Sequence, residues 1–121
     1  MGFSLYPHHL KNNTNCTLDS FCEMIARTSD IMNIKNIGIG SDLCLNQPDE
    51  IVEWMRNGTW SKNKNYGEGS KNKPGFPKQP GWFEDARGFF NIEKGLRKVG
   101  FSEEETNGIL GNNWYNFYRN I

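Results

Sequence analysis

The chain has 121 residues, and 14 lysine and arginine residues balance 14 aspartate and glutamate residues, so its formal net charge is zero. This length predicts one small domain, and the neutral balance argues against a nucleic-acid binder driven by overall charge. Hydrophobic residues make up 36%, below the roughly 45–50% of an ordinary globular chain even when the glycine counted in that benchmark is allowed for. A large core of its own is therefore not expected.

The N-terminal segment and the cysteines indicate a soluble protein of a reducing compartment. No basic and apolar signal-peptide pattern opens the chain, and no run approaches the ~18 apolar residues of a membrane span. Cys16, Cys22 and Cys44 are odd in number and form no Cys-x-x-Cys pair, which favours reduced thiols over a disulfide scaffold. We therefore predict a cytoplasmic location, with Cys22 as buried filler on the apolar face of a helix.

The first 42 residues predict a strand, a helix and a second strand. Phe3–Tyr6 alternates like a short strand, and Thr17 can cap a helix that ends near Asn33. Residues 36–42 are a β-branched run with glycines where a side chain would crowd a neighbour, which predicts a buried parallel strand ending at Asp42. This order is a βαβ unit, right-handed by the general rule, and its sheet needs further strands beside it.

The rest of the chain predicts a long loop followed by helices. A short helix is expected over Asp49–Arg56, after Pro48, and residues 59–87 form a long loop rich in lysine and asparagine. A solvated loop is favoured over a phosphate or nucleic-acid site, because its lysines are interleaved with asparagine, glycine and proline and show no stacking pattern. The C-terminal predictions are a helix over Ile92–Val99 capped by Asn91, a capping box at Ser102–Glu105 that opens a helix ending at Gly111, and an aromatic packing helix around Trp114–Tyr118.

Asp42 is the leading candidate for chemistry. A carboxylate directly after a buried parallel strand lies at the edge of the sheet where α/β folds place catalytic groups, although a helix or turn cap is the alternative. His8 and His9 are adjacent, so on an extended segment they point to opposite sides and cannot bind one metal together. One of them could line a pocket, and no complete metal site is expected within the chain.

Two segments resemble the renal or membrane dipeptidase family, which are zinc-dependent dipeptidases of the amidohydrolase type. The first is Ile37–Asp42, and the second runs from Gly95–Glu105 through Ile109–Trp114. The resemblance extends over nearly the whole chain and includes Gly2–Pro7 as the penultimate barrel strand. It implies an α/β fold that is the C-terminal portion of a (β/α)₈ TIM barrel, with the last two strands, an inserted loop and the C-terminal helices.

The resemblance also implies roles for three residues. Asp42 falls on the family's last-strand aspartate, which handles the proton of the attacking water, and Tyr6 and His9 fall where the preceding strand lines the substrate pocket. The full-length family enzyme uses two zinc ions, held by residues of earlier strands that have no counterpart here, so this chain alone is expected to hold no metal. After Asp42, residues 43–45 replace the family's usual Phe-Asp-Gly.

The expected function is therefore that of a C-terminal fragment, residues 1–121, of a dipeptidase-like metallohydrolase, inactive by itself. Its expected partners are a dipeptide substrate and the missing N-terminal barrel segment, with a homodimer possible and no nucleic acid. The alternative is a non-catalytic α/β interaction module that pairs through an exposed sheet edge.

Overall fold

The computed structural model describes residues 1–45, 47–48, 50–51 and 76–121. These residues form a mixed α/β structure, which confirms the predicted class. The chain divides into two compact units, one made of Met1–Leu43 with Gln79–Ile121 and the other of Cys44–Lys78. The elements of the first unit are the strands β1 (Gly2–Ser4) and β2 (Gly38–Gly40) and the helices α1 (Leu18–Ser29), α2 (Phe89–Lys98), α3 (Glu103–Asn107) and α4 (Asn113–Arg119).

The two strands pair in parallel, as predicted for a βαβ unit. Gly2 lies opposite Gly38, Phe3 opposite Ile39 and Ser4 opposite Gly40. Both strands are shorter than predicted. Strand β1 ends at Ser4, because a 3₁₀ turn over Pro7–His9 begins only three residues later. Strand β2 ends at Gly40, opposite Ser4, which is two residues before Asp42.

Helix α1 begins as predicted and ends earlier. The Thr17 hydroxyl accepts a hydrogen bond from the Ser20 amide at 3.1 Å, which satisfies a donor in the first turn. The helix ends at Ser29 and not near Asn33, because the hydroxyls of Thr28 and Ser29 donate to carbonyls of the last turns and compete with helix continuation. Its buried residues are Phe21, Cys22 and Ile25.

Helix α1 packs between the sheet and α2. The rings of Phe3 and Phe21 meet edge to face at 6.5 Å. On the other side, a Cβ atom added at Gly95 would lie 2.6 Å from the Cys22 Sγ atom. The absence of a side chain at Gly95 therefore sets how closely α2 approaches α1.

The prediction that Asn91 caps α2 is wrong. The helix begins at Phe89, directly after a 3₁₀ turn over Ala86–Gly88 that is capped by the Asp85 side chain. Asn91 lies inside the helix, and its amide donates to the Trp82 carbonyl at 2.9 Å. Because the Asp85 side chain caps the preceding turn, the helix begins before Asn91, and the Asn91 side chain bonds to Trp82 instead of to the helix end.

The predicted capping box is present, and the helix it opens is shorter than predicted. The Ser102 hydroxyl accepts from the Glu105 amide, and the Glu105 carboxylate accepts from the Ser102 amide. Helix α3 ends at Asn107, and a π-helical turn over Gly108–Asn112 with a kink at Gly111 leads into α4. The predicted aromatic helix is present as α4, but of its aromatic side chains only Trp114 packs on the sheet, while Tyr115, Phe117 and Tyr118 are largely exposed.

Part of the predicted long loop packs into the core. Within residues 59–87, positions 59–75 lie outside the described residues. In the described part, Phe83 is fully buried, and the Trp82 indole donates to the Cys16 carbonyl at 2.7 Å. Of the predicted helix Asp49–Arg56, Glu50 and Ile51 are helical and the other positions lie outside the described residues.

Trp114 covers the glycine face of the sheet. Its Nε1 atom donates to the Ile39 carbonyl at 3.0 Å, and the neighbouring Asn113 amide donates to the Ile37 carbonyl at 2.7 Å. A Cβ atom added at Gly38 would lie 2.4 Å from the Trp114 Nε1 atom. The expectation that a glycine in the second strand avoids a crowded neighbour is confirmed at Gly38. None of the helices in the described ranges is long and apolar enough to cross a bilayer.

We predict that Gly38→Ala destabilises the protein and that Gly40→Ala does not. The alanine methyl group at position 38 would overlap the indole, which costs about 1–3 kcal/mol of the free energy of unfolding. At Gly40 no atom lies within 4 Å of an added Cβ, so a change within about 0.5 kcal/mol is expected. Urea unfolding of both variants measures the difference, and equal stabilities would contradict the packing described here.

Candidate functional site

The candidate site lies at the carboxyl edge of the two-stranded sheet. Ser4 and Gly40 are the last paired residues, and Tyr6 and Asp42 each lie two positions beyond them. Because the strands are parallel, both segments leave the sheet at the same edge. The strand register therefore brings Tyr6 and Asp42, predicted separately from the sequence, to one end of the fold.

Asp42 presents an exposed carboxylate from an unusual backbone conformation. Its φ angle of 50° lies in the left-handed region, which aspartate adopts more readily than most residues. Among the described residues, no hydrogen bond reaches its carboxylate, so it caps neither a helix nor a turn there. The carboxylate is available to accept a hydrogen bond or a proton from a bound molecule.

Tyr6 and His9 contact each other directly. Their ring centroids lie 5.3 Å apart in an edge-to-face arrangement, and the rings of Tyr6 and His8 lie 5.9 Å apart. The prediction that the two histidines lie on an extended segment and point to opposite sides is wrong, because Pro7–His9 forms a 3₁₀ turn. This turn brings both imidazoles to the same tyrosine.

Sequence reasoning missed Ser4 as a member of this cluster. Its Oγ atom accepts a hydrogen bond from the Tyr6 amide at 3.1 Å and lies 3.0 Å from His9 Nδ1. The available signal was the serine two residues before Tyr6, since serine hydroxyls bond to backbone amides two positions ahead. Ser4 thereby holds the turn and orients the His9 ring.

The described residues do not fit a zinc ion by themselves. Within these ranges no three His, Cys, Asp or Glu side chains come together as a ligand group, and protein zinc sites need three or four ligands. The Nδ1 atom of His9 is also engaged by Ser4. The site is therefore an edge with a carboxylate, a phenol and an imidazole.

A separate groove lies at the opposite end of the strands. Its volume is about 700 Å³, and its lining includes Met1, Gly38, Trp114 and Phe117. Tyr6, His9 and Asp42 do not line it. Helix α4 contributes Trp114 to the packing on the sheet, while Tyr115, Phe117 and Tyr118 remain largely exposed.

Two of the three thiols are poor candidates for nucleophiles. Cys16 and Cys22 are buried, and burial raises the pKa of both thiols. For Cys22 the pKa rises to about 12, with the nearby Asp19 carboxylate as a further cause. The prediction that Cys22 is buried packing is confirmed. Cys44 is exposed.

We predict that Cys22 makes stability fall at alkaline pH. The folded state keeps the thiol neutral up to about pH 12, whereas the unfolded chain ionises it near its ordinary value of 9.0. The stabilisation is therefore complete below pH 9 and is lost as the pH rises toward 12, with a slope of about 1.4 kcal/mol per pH unit. Urea unfolding from pH 8 to 11 should show the stability advantage over Cys22→Ala shrinking, and a constant difference would contradict it.

Comparisons with known proteins do not assign a function to this chain, so the functional argument rests on the geometry of the site. No protein-family model, no curated protein and no solved structure matches the chain. Within the structure, the two segments Ile37–Asp42 and Ile109–Trp114 contact each other, because Asn113 and Trp114 donate to carbonyls of Ile37 and Ile39. Both segments thus belong to one packed unit around the sheet.

Proposed function

We propose that this chain is the C-terminal portion of a dipeptidase-like (β/α)₈-barrel hydrolase, in which the carboxyl edge of β1 and β2 faces the substrate. The observation that carries the proposal is the parallel register, which brings Tyr6 and Asp42 to the same edge. Enzymes with parallel barrels build their active sites at this end of the strands. The buried, unionised thiols of Cys16 and Cys22 support a reducing location such as the cytoplasm.

Asp42 is proposed as the group that handles the proton. When water attacks the carbonyl carbon of the peptide bond, its proton passes to the Asp42 carboxylate, and the leaving amine takes that proton as the C–N bond breaks. The exposed carboxylate, with no hydrogen-bonding partner among the described residues, supports this role. The left-handed φ angle of Asp42 is a sparsely populated conformation for a residue other than glycine, and such conformations cluster at functional sites.

Tyr6 and His9 are proposed as the substrate-binding wall. The edge-to-face contact between their rings and the bond between Ser4 and His9 reduce the number of conformations that each ring adopts. A preorganised wall loses less conformational entropy on binding than mobile side chains would. The zinc chemistry of the family does not fit the described residues alone, so a metal would have to be held by ligands from an N-terminal barrel segment.

A second candidate function is a non-catalytic interaction module that pairs through one edge of its sheet. The observation that favours it is the hydrogen bond from Trp114 Nε1 to the Ile39 carbonyl on β2. In a closed barrel both outer edges pair with neighbouring strands, whereas here a side chain already covers one of them. A module would need only the edge of β1.

One experiment separates the two candidates. We predict that the coding region upstream of the Met1 codon encodes a His-x-Asp pair, a bridging glutamate and two later histidines, and that the polypeptide with this segment hydrolyses dipeptides when zinc is supplied. In it, Asp42→Asn should lower turnover by about 10²–10⁴-fold, because the amide cannot accept the proton. Asparagine also adopts left-handed φ angles, so the variant keeps the fold.

The control is the isolated 121-residue chain, assayed with zinc and the same dipeptides. We expect its turnover to be no higher than that of the isolated chain carrying Asp42→Asn. Hydrolysis by the isolated chain that disappears in Asp42→Asn would contradict the proposed need for a further segment. An upstream region without the zinc-ligand pattern would contradict the hydrolase and leave the interaction module.

A further inference from the structure

The Ser4 hydroxyl lies between two partners at the candidate site. Its Oγ atom accepts a hydrogen bond from the Tyr6 amide at 3.1 Å and lies 3.0 Å from the Nδ1 atom of His9. A serine hydroxyl has two acceptor lone pairs but only one hydrogen to donate. Because a backbone amide is always the donor, Ser4 is the acceptor in its contact with Tyr6, and its one hydrogen remains for another partner.

The contact between Ser4 and a neutral His9 ring has two possible directions. In the first, the hydroxyl donates to an unprotonated Nδ1, and the ring hydrogen of the imidazole lies on Nε2. In the second, a protonated Nδ1 donates to the Ser4 oxygen, and Nε2 carries the lone pair. The direction of this one hydrogen bond therefore decides whether His9 presents a donor or an acceptor at Nε2.

The number of satisfied hydrogen-bonding groups favours the first direction. Among the described residues, His9 Nδ1 is the acceptor within reach of the Ser4 hydroxyl, so the second direction leaves the hydroxyl hydrogen without a protein partner. Ser4 is half-buried, whereas His9 is exposed. An unpaired group costs more where water has less access. The first direction pairs the hydroxyl of the half-buried residue and leaves Nε2, on the exposed ring, to water or a ligand.

We propose that Ser4 is a positioning residue that holds His9 as the tautomer with its hydrogen on Nε2, so that His9 donates a hydrogen bond to an oxygen of the substrate. One line of hydrogen bonds runs from the Tyr6 amide to the Ser4 hydroxyl and from that hydroxyl to Nδ1. The edge-to-face contact with the Tyr6 ring at 5.3 Å restricts rotation of the imidazole. The bond at one ring nitrogen thereby sets the state of the other.

This tautomer divides the chemical roles at the carboxyl edge of the sheet. His9 is not a second base, because its Nδ1 lone pair is occupied by Ser4 and its Nε2 atom already carries a hydrogen. Proton transfer is left to the Asp42 carboxylate, while the Nε2–H group suits a carbonyl or carboxylate oxygen, and a dipeptide has both. The choice of substrate rests on the proposed hydrolase function, whereas the tautomer does not depend on it.

The test is ¹⁵N NMR of the imidazole nitrogens in the 121-residue chain. Protonated and unprotonated ring nitrogens differ widely in ¹⁵N chemical shift, so the spectrum reports the tautomer directly. The chain has two histidines, and His8 is an internal reference, since its ring has no hydrogen bond to the described residues. At about pH 8.5, where free imidazole side chains are neutral, we expect an unprotonated Nδ1 and a protonated Nε2 in His9, with averaged shifts in His8.

Ser4→Ala and Ser4→Thr are the matched variants. Alanine removes the hydroxyl, so both His9 nitrogens should shift toward the averaged positions of His8, whereas threonine keeps a hydroxyl and should retain the original pattern. The spectrum of the unaltered chain decides by itself if a variant fails to fold. A protonated Nδ1 or averaged nitrogens in the unaltered chain, or an unchanged His9 pattern in Ser4→Ala, would overturn the proposal.

Dipeptide hydrolysis by the polypeptide with the upstream segment tests the donor role. We expect His9→Phe, which keeps an aromatic ring beside Tyr6, to raise KM about 10-fold through the lost hydrogen bond, and His9→Gln, whose amide still donates, to raise it less. A fall in kcat of about 10²–10⁴-fold in His9→Phe would overturn the role, because that size marks a lost acid or base. The inference and the hydrolase fail separately, since the NMR spectrum decides the tautomer and the upstream coding region decides the hydrolase.

Discussion

The indole of Trp114 lies directly on the backbone of the two strands, and the remaining structure depends on this contact. Glycine at positions 2 and 38 leaves room for the ring. A Cβ atom added at Gly2 would lie 3.0 Å from the indole, and one added at Gly38 would lie 2.4 Å from it. The indole nitrogen then bonds to the Ile39 carbonyl. One side chain thus covers a face of the sheet, satisfies an edge carbonyl and fixes where α4 begins.

A second close approach extends the same principle to the helices. Gly95 lets α2 approach Cys22 and Leu18 of α1, and Phe21 of α1 meets Phe3 of the sheet. The order of layers is therefore α4, sheet, α1 and α2, with missing side chains at the tightest contacts. Close packing without cavities is what gives such a small core its stability.

This architecture explains why the two ends of the sheet differ. At the carboxyl end, the chain leaves β1 into a turn that gathers Ser4, Tyr6 and His9, and leaves β2 through the left-handed Asp42. The polar and aromatic groups there are accessible to a ligand. At the other end, Trp114 and Phe117 border a groove.

The sequence by itself determined the features that depend on neighbours in the chain. The Thr17 cap, the box of Ser102 and Glu105, the βαβ order and the burial of Cys22 follow from local hydrogen bonding and hydrophobic periodicity. Tertiary structure decided the strand lengths, the use of Asn91 as a donor to Trp82, and the contact of Ser4 with His9. It also decided that Asn113 and Trp114 cover the edge of β2, where their acceptors lie 76 and 75 residues away in the sequence, respectively. Local patterns carry no record of such pairings, because the geometry that brings these atoms together exists only after the helices have packed on the sheet.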